Sequence, residues 1–247
     1  MRYFASSRIR VKIFLRDDML DHLVSSEEGF TALTHVTVRQ ADTLKWTDEQ
    51  ILTMLVKRLF ANNPLAELLA VEESQIAASA SYREQCFYRV FPPTVFKGAN
   101  QSPTLRWILS RCEDGRGVVT PRDVLDLVVR AIQREQTLCS GDSEGDNDFI
   151  ISPQSIIYGY EELSKRKRLT YLQAEFPHLW VSIERFIGGK TEYDEGSLNE
   201  LLGSDWRTVA EKLVAVGFLA TWKKNSADIY SIPFLYRPGL DLIRGKA

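Results

Sequence analysis

Hydrophobic and polar positions alternate along the chain in three regimes. Ile9-Arg10-Val11-Lys12-Ile13-Phe14-Leu15 opens as apolar/basic alternation and closes as an unbroken apolar trio, the pattern of a strand entering a buried parallel sheet. His35-Val36-Thr37-Val38 alternates again and predicts a short extended segment. From Trp46 the period changes to 3.6. Thr47 caps a helix with Asp48 and Glu49 in its first turn, and Ile51, Leu52, Leu55, Val56 and Leu59 form its apolar face before Asn62-Asn63-Pro64 stops it. Residues 65–111 read as further helices broken at Pro92-Pro93, with Thr104 to Arg111 as one of them.

The strongest helix signal is Thr120-Pro121-Arg122-Asp123. A capping hydroxyl, a proline at the first helical position and a carboxylate in the positive first turn stand in order. Val124, Leu125, Val128, Val129 and Ile132 then predict one buried stripe as far as about Gln136. Arg122 projects a cation from that helix start, where free N–H groups also favour an anion.

Residues 138–149 read as an acidic Gly/Ser linker. Asp142, Glu144, Asp146 and Asp148 are spaced like calcium-loop ligands. Asn147 stands where that loop needs glycine and Pro153 where it needs glutamate, so a solvated linker is the expectation. Beyond it, helices are expected from Ser155 to about Arg168, across Thr170 to Ile187 around Pro177, from about Glu195 to Leu202, and after Asp205 to Gly217. Phe218 to Trp222 and Ile229 to Ile232 then form two β-type runs around a polar turn. Helices followed by a hairpin predict a winged-helix pattern over 150–247.

Composition narrows the chemistry. With 31 Lys/Arg against 33 Asp/Glu the net charge is -2, so the whole chain offers no attraction to nucleic acid or an anionic membrane. Residues 150–247 carry 13 Lys/Arg against 12 Asp/Glu, and DNA binding there is expected to be weak at most. Cys86, Cys112 and Cys139 are widely spaced and odd in number, suggesting neither a disulfide framework nor zinc. A cytoplasmic setting and no membrane partner are expected.

Gly188-Gly189-Lys190-Thr191 imitates the end of a phosphate-binding loop. Glu184 occupies the position of the required first glycine and acids follow, so a helix C-cap and turn is expected. His22, His35 and His178 are too dispersed for a metal site. Lys165-Arg166-Lys167-Arg168 reads as a solvated basic helix face. Arg16, at the end of the first strand, stands where α/β sheets expose ligand-contacting side chains. Taken singly, Arg16 beside Asp17 and Asp18, and Arg122 beside Asp123, also read as surface cations.

The order of these features resembles the C-terminal part of bacterial P-loop ATPases of the AAA-like, STAND type. Ile13-Phe14-Leu15-Arg16-Asp17-Asp18 matches the end of a core strand, and Leu44-Lys45-Trp46-Thr47 matches the opening of a helical lid. Pro121-Arg122-Asp123 matches its closing helix. Gly217-Phe218-Leu219, Tyr230-Ser231-Ile232-Pro233 and Leu235-Tyr236-Arg237-Pro238-Gly239-Leu240 match a winged helix. The resemblance implies a mainly α chain: a core remnant over 1–43, a helical lid over 44–137, the linker over 138–149, and a winged-helix domain over 150–247. It implies Arg16 at the sensor-1 position and Arg122 at the sensor-2 position, both facing nucleotide phosphates. No Gly-x-x-x-x-Gly-Lys-Ser/Thr and no apolar strand ending in an acidic pair precedes Arg16. ATP with magnesium is therefore expected only if a P-loop core is supplied, and the chain alone is expected to be non-catalytic. The chain reads as a fragment or truncated relative whose partners are proteins or an upstream ATPase core. A winged-helix DNA-binding regulator with a helical N-terminal sensor domain is the alternative.

Overall fold

The computed structural model describes residues 45–139, 149–225 and 227–247. Arg16, the expected strand at 9–15, the core remnant over 1–43 and the acids at 142–148 lie outside the described residues. Residues 46–247 form one compact unit, mainly helical with a small four-stranded mixed sheet.

The first helix, α1 (Asp48–Phe60), begins as its sequence requires. Thr47 Oγ1 accepts from Gln50 N at 3.2 Å, and Gln50 Oε1 accepts from Thr47 N at 2.9 Å, closing a capping box. Ile51, Leu52, Leu55, Val56 and Leu59 are buried. Asn62 caps the short α2 (Asn63–Leu68), and α3 (Glu73–Ala78) and α4 (Ala80–Val90) fold back on α1. Buried Arg83 ties the three together: it donates to Ile76 O at 2.9 Å and pairs with Glu49 at 2.8 Å. The next helix is α5 (Thr104–Cys112).

A tight loop at 113–119 leads into α6 (Pro121–Cys139). Thr120 caps α6, with Oγ1 accepting from Asp123 N at 3.2 Å. The buried positions are Asp123, Val124, Leu127, Val128 and Ala131, so the stripe is rotated from the expected one. Leu125 and Ile132 are half-buried and Val129 is exposed. The reason is the neighbour. The following helix, α7 (Pro153–Lys167), presents Gly159, and a Cβ there would stand 2.4 Å from Leu127 O and 3.3 Å from the Ala131 methyl. The two backbones touch where both side chains are small, and bulky Leu125 and Val129 turn away.

Both sides of the 140–148 segment are tied down. Ile151 N donates to Val90 O at 2.8 Å, and Glu135 Oε2 accepts from Ser152 N at 2.8 Å and from the Ser152 hydroxyl. Ser152 in turn caps α7. Past Lys167 the helix widens into a π-helical stretch (Arg168–Gln173), and α8 (Pro177–Ile183) follows with its proline in the first turn.

The C-terminal part alternates helix and strand. In chain order come β1 (Lys190–Tyr193), α9 (Glu195–Leu202), α10 (Trp206–Ala215), β2 (Ala220–Lys224), β3 (Ala227–Ser231) and β4 (Ile243–Lys246). The sheet order is β2-β3-β1-β4, antiparallel except for the parallel β1–β4 pair. The Gly188-Gly189 turn leads into a strand, and Asp194 caps α9 in a capping box with Ser197. The Ser197 N–H, aided by Lys246 at 2.9 Å, holds the Asp194 carboxyl well below the usual range. The turn Phe234–Leu240 then seats on α7: Gly239 N donates to Ser164 Oγ at 2.8 Å, and a Cβ on Gly239 would lie 2.4 Å from Ser164 O. A single hydrophobic cluster runs from Ile51 to Leu240.

Gly159→Ala is expected to push α6 and α7 apart and to lower stability by about 1–3 kcal/mol in urea unfolding. Gly196→Ala, where the added methyl meets nothing closer than 3.4 Å, is expected not to destabilise. A second expectation concerns pH. Partial burial acts to raise the Glu135 carboxyl, but bonds from the Ser152 hydroxyl, Ser155 and the Ser152 N–H outweigh it and hold the group below its ordinary 4.5. A depressed carboxylate stabilises the fold above its unfolded value, and that contribution fades as pH falls from about 4.5 through the folded value. Glu135→Gln should flatten this part of the stability–pH curve while leaving the neutral-pH helix content unchanged by circular dichroism.

Candidate functional site

The helix that carries Arg122 also supplies one wall of a groove of about 540 Å³, closed on the other side by the end of α7, the π-helical stretch and Glu175. Pro121 fixes the first turn, so Arg122 projects outward while Asp123, one residue on, points to the buried side. The Asp123 side chain retains only 6% of its exposure, and Lys167 Nζ meets it at 3.0 Å. Lys167 also lies 4.5 Å from the Tyr171 ring centroid, a cation–π contact on the first π turn. Tyr171 donates its hydroxyl proton to Val216 O at 3.2 Å, fastening the groove wall to the end of α10.

One turn along α6, Asp126 takes two cations on one oxygen: Arg166 at 2.8 Å and Arg130 at 3.6 Å. The basic run 165–168 is therefore divided, with Lys165 and Arg166 exposed and Lys167 and Arg168 half-buried. Arg166 and Lys167 bind the acids of α6, and Arg168 donates to Gly239 O at 3.1 Å beside the Trp180 ring. Lys165 alone stays on its own helix, paired with Glu162 at 2.9 Å. The first two residues thus keep the expected solvated face, whereas Lys167 is drawn in by Asp123, an acid remote in sequence.

Arg122 is exposed and makes no hydrogen bond or ion pair among the described residues. With Arg166 and Lys167 paired to acids of α6, it is the groove cation without an acid partner among the described residues, although Glu175 lines the same groove. A π-helical turn is a feature that recurs at functional sites, and here it forms the wall facing Arg122.

Among the described residues that line the groove, no nucleophile is paired with a base. Cys112 is fully buried, and burial, reinforced by Asp123 and Asp126, pushes its thiol well above the ordinary value, which makes it unreactive. Among the described residues no group of three or more His, Cys, Asp or Glu comes together to hold a metal, and no helix is long and apolar enough to cross a membrane. The arrangement leaves the Arg122 guanidinium open to an anion at the groove.

The sequence singled out Arg122 but not the Asp123–Lys167 pair beneath it. The only local signal was the i, i+3 spacing of Asp123 and Asp126 on a helix otherwise apolar on that side. No known protein family matches this chain, and neither a curated protein nor a solved structure matches it.

Asp123→Ala strands Lys167 against a buried surface and is expected to cost about 3 kcal/mol in urea unfolding. Replacing both partners, Asp123→Leu with Lys167→Met, should recover most of the loss. Arg122→Ala should change stability by less than about 0.5 kcal/mol, as for an exposed, unpaired side chain.

Proposed function

We propose that this chain is the C-terminal regulatory and interaction portion of a P-loop ATPase, coupling nucleotide state to a winged-helix output module and non-catalytic alone. The observation that carries the reading is the unpaired Arg122 at the start of α6, directly above an ion pair that binds α6 to α7. In this reading the lid closes on a nucleotide held by a core, and Arg122, in the sensor-2 role, meets its terminal phosphate. Arg16 takes the sensor-1 role on the core strand. A shift of α6 then passes through Asp123–Lys167 and the Gly159 contact into α7 and the C-terminal module. A ligand can bias such an equilibrium only through contacts that differ between the two states, and Arg122 supplies one.

The winged-helix reading is supported by element order: helix α8, strand β1, helices α9 and α10, and hairpin β2–β3, with β1 paired to β3. The face that would read DNA is poorly charged for it. On α10 Arg207 is held by Glu195 at 2.9 Å, and Glu211 stands beside Lys212. The DNA-binding alternative draws on one observation, the exposed Trp222, Lys223 and Lys224 on edge strand β2.

The test begins with the genomic DNA upstream of Met1, read for an in-frame Gly-x-x-x-x-Gly-Lys-Ser/Thr and an acidic strand. A longer form containing them should hydrolyse ATP, and Arg122→Ala should slow it by about tenfold or more, as for loss of a phosphate-facing cation. The chain alone should release no phosphate from ATP. Turnover by the chain alone that disappears in Arg122→Ala would overturn the non-catalytic reading, and a long form indifferent to Arg122→Ala would overturn its assigned role. DNA binding by the chain tighter than ~1 μM at physiological salt, with a steep salt slope lost on changing Lys223 and Lys224, would favour the alternative.

A further inference from the structure

Away from the Arg122 groove, α5 meets the turn Phe234–Tyr236 through stacked aromatic rings and guanidinium groups. Arg111 Cζ lies 4.5 Å from the Trp107 ring centroid and 4.1 Å from that of Phe234. Arg237 Cζ lies 4.0 Å from the same Phe234 centroid. Phe96 packs edge-on against Trp107 at 6.2 Å, extending the stack at its other end. Phe96 and Phe234 remain 47% and 38% exposed, so both ends of the stack reach the surface.

The charges on this surface are unbalanced. Arg111 donates from Nη1 to Ser110 Oγ at 2.8 Å, while its buried Nε finds no acceptor. Arg237 spends its Nε on Ile232 O at 2.8 Å. Among the described residues neither guanidinium has a carboxylate within ion-pair distance. Burial lowers the pKa of Arg111, and Arg237 adds to it although Tyr160 opposes; burial likewise lowers that of Arg237, opposed by Tyr160 and Glu192 and aided by Arg244. Glu161 and Asp241 line a shallow groove with Arg237 and Lys165, and Glu192 acts on the Arg237 charge from beyond ion-pair distance.

We propose that this arginine–aromatic stack is a docking surface for an acidic segment of a partner protein, whose carboxylates pair with Arg111 and Arg237 and whose apolar side chains cover Phe96 and Phe234. Three features select that occupant. Planar guanidinium groups already stripped of much of their water, and lacking an acid, are matched by carboxylates in a bidentate geometry. Aromatic and arginine side chains, held rigid by stacking on one another, are the composition of binding hot spots. A nucleic acid fits less well, because the Phe234 ring already carries two guanidinium groups and has little face left for a base. The surface is separate from the Arg122 groove and stands whether or not a nucleotide is bound there.

The test uses the whole chain and a short fluorescein-labelled peptide alternating glutamate and phenylalanine, read by fluorescence anisotropy. Controls are the same peptide with glutamine for glutamate, and oligothymidylate. The acidic peptide is expected to bind with a Kd on the order of 10–100 μM, and the glutamine version about tenfold more weakly. Arg237→Gln and Arg111→Gln should each weaken the acidic peptide by about tenfold, whereas Arg207→Gln on α10 should not. Because Arg111 is partly buried, hydrogen exchange of the unaltered chain gives an independent reading: the peptide should protect residues 107–111 and 234–237. No saturable binding below about 1 mM, equal affinity for the glutamine peptide, tighter binding of oligothymidylate, or protection confined to other regions would each overturn the proposal.

Discussion

The backbone contact between α6 and α7 at Gly159 sets the geometry on which the rest of the described structure depends. Without a side chain at that position the two helices approach until a Cβ would overlap Leu127 O. That approach brings Asp123 and Asp126 within reach of Lys167 and Arg166 near the end of α7. Wider spacing would separate the acids from their cations and leave a buried carboxylate and ammonium each without a partner, a far costlier state than either exposed. Packing and electrostatics are thus not independent here, since one glycine determines whether the charges meet.

The same economy explains why Arg122 is available. Four cations, Arg122, Arg130, Arg166 and Lys167, lie on or near the groove, and two acids of α6 bind three of them. Glu175 lines the groove as well, so what remains is one cation without an acid partner and no excess of positive charge among the lining residues. A similar lack of acid partners appears at Arg111 and Arg237, where aromatic faces take the place of carboxylates. Net charge conceals both, because each arises from how charges are paired in the fold.

Much of the helical architecture is written in local signals. Thr47 with Gln50 and Thr120 with Pro121 mark helix starts through short-range bonds that the sequence contains in full. The hairpin β2–β3 is legible because its strands are neighbours in sequence. Strands β1 and β4 are not, since Lys190–Tyr193 and Ile243–Lys246 have little β character and exist by pairing across the chain. The buried stripe of α6 was only half legible: Val124 and Val128 belong to both versions, but Ala131 is too small to register as an anchor until Gly159 is known to face it. Arg122 was legible as a cation at a helix start, whereas the engagement of Arg166 and Lys167 depends on acids remote in sequence. The Arg111–Phe234–Arg237 stack likewise joins elements more than 120 positions apart, and no local pattern announces it.

The seat of Gly239 on Ser164 joins residues 75 positions apart and turns the chain between them into a closed loop. Inside it lie α8, α9, α10 and both hairpin strands, and Asn225 at the end of β2 is exposed. A protease that cuts there severs the chain without opening the loop's seam. The fragments on either side stay joined by the β1–β3 and β1–β4 ladders and by the Gly239 contact. Such a nick would show as two bands on a denaturing gel and as a single particle in solution.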